Sequence, residues 1–320
     1  MKPFLSLIRF PNLLIIAFTQ YMMRYTLIWP SVESYGYELQ LNGFTFFCIV
    51  LATMCTAAAG YAINDYFDVK ADNINRPGRV IVGNSISRRK AMKIHSIFCV
   101  LGVLLGGYVT WEAGVPLLVL LFILVAGMLW LYSFTYKRQF LIGNLIVSLF
   151  TALVPMLVLL DIPPLHNEYR NELLAMGRDF YPAMFLIMGF AAFAFLTTLS
   201  REIIKDTEDF EGDAAYGCRS VPITLEITYT KQIIVGINLL IIIAIEYVFW
   251  RFFRYDSSGH FDYLSFFYTF GLLVIPLLWL SRKVYQANTS ADYRNAGNWM
   301  KAVMLFGILY GCVLCWRITG

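Results

Sequence analysis

The runs of apolar residues restrict the fold of this chain more than any other feature. Nine such blocks extend from Pro11 to Trp29, Gly43 to Ile63, Ile94 to Trp111, Val115 to Phe134, Leu141 to Leu160, Pro182 to Leu199, Ile233 to Trp250, Tyr263 to Leu280 and Trp299 to Trp316. Each approaches the ~20 residues with which a helix crosses a bilayer core. The blocks are continuously apolar, whereas barrel strands would alternate over about 10 residues, so helices are predicted. The expected fold class is an all-α integral membrane protein with nine transmembrane helices. Composition agrees, with 59% of the 320 residues hydrophobic and 14% charged, against about 25% charged in soluble domains. The first block is long and has no small-residue cleavage site after Trp29, so it reads as a membrane helix and not as a signal peptide.

The net charge of +4 reports orientation, not a nucleic-acid partner. With the amino terminus placed inside, the amino-terminal segment and the loops after the second, fourth, sixth and eighth blocks carry most of the 25 Lys and Arg residues. That asymmetry predicts a multi-pass protein of the cell (inner) membrane, with its even-numbered loops cytoplasmic and its carboxyl terminus outside. Arg24, well inside the first block, is expected to snorkel toward the outer interface. The six cysteines lie mostly inside or beside apolar blocks and do not suggest a disulfide framework. Cys312 and Cys315 read as two small apolar residues, because no second ligand pair accompanies their C-x-x-C. His95, His166 and His260 are expected to lie outside the chemistry.

Two acidic clusters stand out from this apolar background. The end of the second block reads Asn64-Asp65, then Asp68 and Asp72, and the end of the sixth is followed by Asp206, Asp209 and Asp213. The aspartates repeat at i, i+3 and i+7, and all three pairs are offset by the same 141 residues (206 minus 65, 209 minus 68, 213 minus 72). On a helix this spacing confines three carboxylates to an arc of about 60°. An even number of crossings separates the two blocks, so both clusters are expected on the same, cytoplasmic, face. Six carboxylates sharing one partly desolvated site need cations between them. Mg²⁺ suits that need, since one or two carboxylates and substrate phosphate oxygens commonly hold it. The chemistry that fits is departure of pyrophosphate. The plainer alternative is a pair of solvated helix ends with ordinary i, i+4 pairs such as Lys205 with Asp209.

The stretch Gly60-Tyr61-Ala62-Ile63-Asn64-Asp65-Tyr66-Phe67-Asp68, with Asp72-Asn73-Ile74-Asn75-Arg76-Pro77, resembles the first signature of the UbiA prenyltransferase superfamily. Arg201-Glu202-Ile203-Ile204-Lys205-Asp206, then Glu208-Asp209 and Gly212-Asp213, resembles the second. Within that superfamily the motifs are most similar to geranylgeranylglycerol-phosphate geranylgeranyltransferases. The resemblance implies one membrane domain over residues 1–320, with two four-helix halves (about 1–140 and 141–285) and a ninth helix around a central cavity. It also implies Asp65, Asp68, Asp72, Asp206, Asp209 and Asp213 as Mg²⁺ and diphosphate residues, joined by Asn64. Tyr132 with Lys137, followed by Gly143-Asn144, fits a family element after the fourth helix, and Asn12 fits a family asparagine facing the cavity. One departure follows the first cluster, where Arg76-Pro77-Gly78-Arg79-Val80 and Val82-Gly83-Asn84 stand in place of R-P-x-R-P and S-G. It leaves the acceptor open.

The expected reaction is transfer of a long prenyl group from a prenyl diphosphate to a lipophilic acceptor, best fitted by geranylgeranylglyceryl phosphate, whose hydroxyl would form an ether. An acceptor phosphate would need cations, and Arg76, Arg79, Lys137, Arg138, Arg201, Lys205 and Arg219 are the candidates. Two alternatives share some of these features. An aromatic prenyltransferase of quinone or haem synthesis would use the same diphosphate machinery, and a cation-coupled transporter would place its acids nearer the bilayer midplane.

Overall fold

A computed structural model describes residues 2–75, 78, 80–177, 179–255 and 259–319. Among them every regular element is a helix: α1 (Lys2–Leu7), α2 (Phe10–Met23), α3 (Trp29–Glu33), α4 (Gly43–Asn75), α5 (Arg88–Glu112), α6 (Val119–Phe134), α7 (Ile142–Met156), α8 (Ile162–Glu168), α9 (Arg170–Met176), α10 (Tyr181–Glu208), α11 (Phe210–Ala215), α12 (Val221–Val248), α13 (Tyr263–Thr269), α14 (Ile275–Gln286) and α15 (Ser290–Thr319). Eight of the described helical spans are long and apolar enough to cross a membrane, beginning at Gly43, Arg88, Pro116, Ile142, Tyr181, Val221, Tyr263 and Ser290. The chain is a multi-pass membrane protein.

The first predicted block is helical too, but interrupted. Between α2 and α3 lies a π turn, Arg24–Ile28, and Pro30 follows it. Proline has no N–H to offer the carbonyl four residues back, here Thr26, and its ring crowds that carbonyl, so the helix widens before it. The same device recurs where the π turn Phe270–Val274 precedes Pro276. Two helices run past their apolar blocks. α4 extends beyond Ile63 to Asn75 and α10 beyond Leu199 to Glu208, carrying polar residues out of the bundle on continuous backbone.

α4 packs on α5 and α6, α10 on α7, α12 and α15, while α2 lies between α4, α7 and α15. The half of the bundle away from the acidic ends is closely filled: Met23, Leu27, Phe46, Ile49, Val158, Leu165 and Ile187 belong to one buried cluster. Arg24 lies within this half and does not snorkel. It makes a buried ion pair with Asp161 at 3.0 Å, donates to the carbonyl of Leu41 and covers the ring of Phe46 at 4.2 Å. A paired guanidinium has no need to reach the interface, and Asp161, 137 residues away in sequence, supplies the partner from just past the fifth block. The described cysteines are all free. His95 is buried with Nδ1 3.0 Å from the Ala59 carbonyl oxygen, and His166 packs on Phe180, so both are structural.

Candidate active site

Asn64, Asp65, Asp68 and Asp72 share the polar end of α4, where each is matched differently. Asp65 accepts from Arg9 Nη2 at 3.2 Å. Arg9 sits between α1 and α2 with φ 48°, and this left-handed turn aims its guanidinium back over the Tyr61 ring, 4.8 Å from the centroid. Asn12 Nδ2 lies 3.5 Å from the Tyr61 hydroxyl. Asp68 accepts from Asn64 Nδ2 at 2.7 Å and pairs with Lys137. Asp72 is half-buried one turn further on.

The second cluster differs from the expected single helical arc. Asp206 ends α10 and accepts from Asn144 Nδ2 at 2.8 Å. Asp209 is the junction with α11, at φ −91° and ψ 12°, and Asp213 lies on α11. The bend has a visible cause at Gly212, whose N–H donates to Asn75 Oδ1 at 2.8 Å. A Cβ on residue 212 would stand 2.2 Å from that oxygen, so only glycine allows α11 to dock on the last residue of α4. The two clusters, far apart in sequence, are thereby tied directly together.

Lys137 comes from a 3₁₀ turn, Tyr136–Arg138, between α6 and α7. Gly143 lets this turn fold back, since a Cβ there would meet the Tyr136 carbonyl and Lys137 Cα at 3.0 Å. The Arg138 carbonyl accepts from the Arg219 N–H at 2.8 Å, joining this turn to the segment after α11. The resulting cleft is lined by Phe67, Asp68, Lys70, Ala71, Lys137, Arg138, Asp206, Asp213, Tyr216 and Cys218. Members of both clusters and two lysines, Lys70 and Lys137, therefore face the same space. Burial alone would lower the Lys137 ammonium, but Asp68, with Tyr132 and Asp213 behind it, holds it above the ordinary lysine value. Burial pushes the Asp213 carboxyl up to about 6, with Lys137 opposing the rise and Asp209 adding to it.

The other predicted residues are distributed around this cleft. The Tyr132 phenol lies in the field of Lys137, Glu202, Asp68 and Asp206. Lys205 acts on Asp72, Asp206 and Asp213. Arg201 is engaged by its neighbour Glu202 at 2.5 Å. Arg76 and Arg79 lie outside the described residues. From the sequence Arg9 is only a basic charge, while Tyr61, Asn75, Asn144 and Glu202 appear as members of the family motifs without assigned contacts. Two signals were present: Arg9 stands three residues before Asn12, and Tyr61 one turn before Asp65.

Among the described residues no three His, Cys, Asp or Glu side chains are gathered tightly enough to hold an ion by themselves. The donor chemistry nonetheless suits Mg²⁺. Asn64 Nδ2 must face Asp68, a pure acceptor when ionised, which leaves the Asn64 carbonyl Oδ1 buried without a hydrogen-bond partner. It is a hard oxygen next to Asp68, which lines the cleft, and such a cleft suits a metal held by a few protein ligands and completed by phosphate oxygens.

The model for the UbiA prenyltransferase family matches residues 27–306. The chain belongs to that family. This membership makes it a prenyltransferase and sets aside the transporter alternative. The chain is 28% identical, over 240 residues, to digeranylgeranylglyceryl phosphate synthase of Methanosphaera stadtmanae, covering 75% of each protein. Other synthases of that name are matched over 55–62% of their own length. A solved digeranylgeranylglyceryl phosphate synthase superposes with TM-score 0.60 and 20% identity over 98% of both chains. A UbiA homolog from Archaeoglobus fulgidus, bound to DMAPP and Mg²⁺, gives 0.53 at 15% identity, covering 97% of this chain and 99% of that one. These two likenesses show the fold.

The docking of α11 yields a direct test. Gly212→Ala forces the added carbon against Asn75 and should separate the clusters, lowering turnover by at least about tenfold (about 1.4 kcal/mol) while the purified protein keeps its helical circular dichroism. Unchanged turnover would mean that the Asn75 contact does not position the second cluster.

Proposed function

We propose that the protein transfers a prenyl group from a prenyl diphosphate to the hydroxyl of geranylgeranylglyceryl phosphate, with Mg²⁺ held between the two acidic clusters. The observation that carries this reading is the single cleft in which Asp68, Asp206 and Asp213 face Lys137. Relatives named digeranylgeranylglyceryl phosphate synthase support the acceptor, and the homolog bound to DMAPP and Mg²⁺ supports the donor and the metal. Bound Mg²⁺ would neutralise the diphosphate and the departing pyrophosphate.

The chain's own residues supply the rest. Asp65, Asp68, Asp72, Asp206, Asp209 and Asp213 provide the anionic walls, with Asn64 Oδ1 as a neutral oxygen among them. Asn64 and Asn144 each fix one carboxylate by an amide hydrogen bond. Lys137 stays charged and offers N–H donors to a phosphate oxygen, where they act on charge that grows as the allylic C–O bond breaks. Lys205 and Arg201 add positive charge at the second cluster, and the Tyr132 phenol lies within the field of Lys137, Asp68 and Asp206. The acceptor hydroxyl oxygen bonds to the allylic carbon and loses its proton, giving the ether and pyrophosphate. Arg76 and Asn12 belong to this proposal as substrate contacts, Asn12 through Tyr61. The distribution of basic residues supports an active site and amino terminus on the cytoplasmic side of the cell membrane, with the carboxyl terminus outside.

Purified protein in detergent with geranylgeranyl diphosphate and Mg²⁺ should release pyrophosphate with geranylgeranylglyceryl phosphate, and not with dihydroxynaphthoate or 4-hydroxybenzoate. Asp68→Ala and Asp209→Ala should each lower kcat by about 100-fold or more, the scale of losing one preorganised charge contact. Turnover with an aromatic acid alone would keep the diphosphate chemistry and overturn the acceptor. Orientation is read separately: Asn84→Cys should react with an impermeant maleimide only in inverted vesicles, and Glu38→Cys only in intact cells. The reverse pattern would invert the topology.

A further inference from the structure

Ether formation releases the proton of the acceptor hydroxyl, and a group near the reacting carbon has to take it. The six aspartates are poor recipients, because their lone pairs would be engaged by Mg²⁺. Three other acids stand beside the second cluster, and their surroundings differ. Glu211 is exposed, and Glu208 is drawn aside by Arg294 of α15 at 2.9 Å. Glu202 is 12% exposed. It precedes Asp206 by four residues on α10, which puts it on the same face and about 6 Å nearer the bilayer.

The 141-residue offset that relates the two aspartate clusters also relates Glu202 to Tyr61. Each stands one turn before the first aspartate of its cluster, so together they form a second layer directly beneath the carboxylates. Its donors come from several elements. Arg9 covers the Tyr61 ring, Asn12 reaches the Tyr61 hydroxyl, and Arg201 donates to Glu202 Oε1 at 2.5 Å. The charges of Arg201, Lys205, Arg9 and Lys137 all act on the Glu202 carboxylate, and Glu202 in turn acts on the Tyr132 phenol. A half-enclosed acid that senses the turn before α2, the end of α6 and the turn after it is directed toward the site and away from lipid. Arg201 occupies one oxygen, while among the described residues Oε2 accepts no hydrogen bond. A diphosphate held at the aspartates directs its apolar chain toward the bilayer side, so its first carbon, one bond beyond the phosphate, comes to the level of this second layer.

We propose that Glu202 is the catalytic base of the transfer and takes the acceptor proton on Oε2. This deepens the prenyl-transfer reading above and rests on it. The acceptor oxygen bonds to the allylic carbon as the bond from that carbon to the diphosphate oxygen breaks, and pyrophosphate leaves with the electron pair. The proton on the newly bonded oxygen passes to the Glu202 carboxylate, and the resulting acid returns it to water. A hydroxyl joined to a carbocation is far more acidic than a free alcohol, so a carboxylate suffices as its base.

The test uses Glu202→Gln, which keeps an oxygen for Arg201 and removes the base, with geranylgeranyl diphosphate carrying ¹⁸O at the bridging position. Scrambling of the label reports breakage of the allylic bond, and product formation reports capture of the carbon. The variant should form product at least about 100-fold more slowly than wild type, while label scrambling and equilibrium binding of an unreactive diphosphate analogue with Mg²⁺ stay at the wild-type level. Loss of scrambling or of analogue binding in step with product would assign Glu202 to the diphosphate site or to the fold, and unchanged product formation would assign the proton to another group. Either result overturns the proposal. A wild type that scrambles the label but ignores geranylgeranylglyceryl phosphate would count against that acceptor alone, and prenyl alcohol formed with water would then be the product compared.

Discussion

Carboxylates from two helices repel one another when brought into one cleft, and the polar end of this bundle is arranged around that repulsion. A pair of unit charges 4 Å apart interacts by about 4 kcal/mol at an effective dielectric constant near 20, comparable to a large part of the net stability of a domain. Each well-placed carboxylate has its own donor from a different element: Arg9 for Asp65, Asn64 and Lys137 for Asp68, Asn144 for Asp206. The donors come from the segment before α2, from α4 itself, from the turn after α6 and from α7. Holding the acids together therefore requires the bundle to be assembled, and the site exists only in the complete fold.

The contact that closes this arrangement is small and uncharged. Asn75 and Gly212 meet through one backbone hydrogen bond, and the missing side chain at 212 is what lets them approach. The price of a straight second cluster would have been separation from the first. By bending at Asp209 the chain turns Asp213 toward the cleft that Asp68 and Asp206 already line. The opposite half of the bundle has another task. Its buried Arg24–Asp161 pair and filled apolar core fix the helices at a distance from the chemistry, and two proline-linked π turns absorb the irregularities that the packing demands.

Much of this was readable beforehand, for identifiable reasons. Membrane helices announce themselves by composition, so the blocks and the all-α class followed directly, and the matching offset of the two acidic clusters placed them at equivalent helix ends. Helix ends were less visible, because α4 and α10 continue on polar residues that hydropathy treats as loop. Arg24 was misread because its partner lies in another helix and pairing leaves no local trace. Arg9, Asn75 and Asn144 act through tertiary hydrogen bonds, which spacing along the chain cannot show. The bend at Asp209 depends on a contact between α4 and α11, and a periodicity argument assumes a straight helix.

The central claim is that the two clusters make a single divalent-metal and diphosphate site. It is tested most directly by electron paramagnetic resonance of Mn²⁺ bound in place of Mg²⁺, with an unreactive prenyl diphosphate analogue present. The account predicts two Mn²⁺ per protein with magnetic coupling between them, and loss of that coupling in both Asp68→Asn and Asp213→Asn. One bound ion, or two ions without coupling, would contradict it.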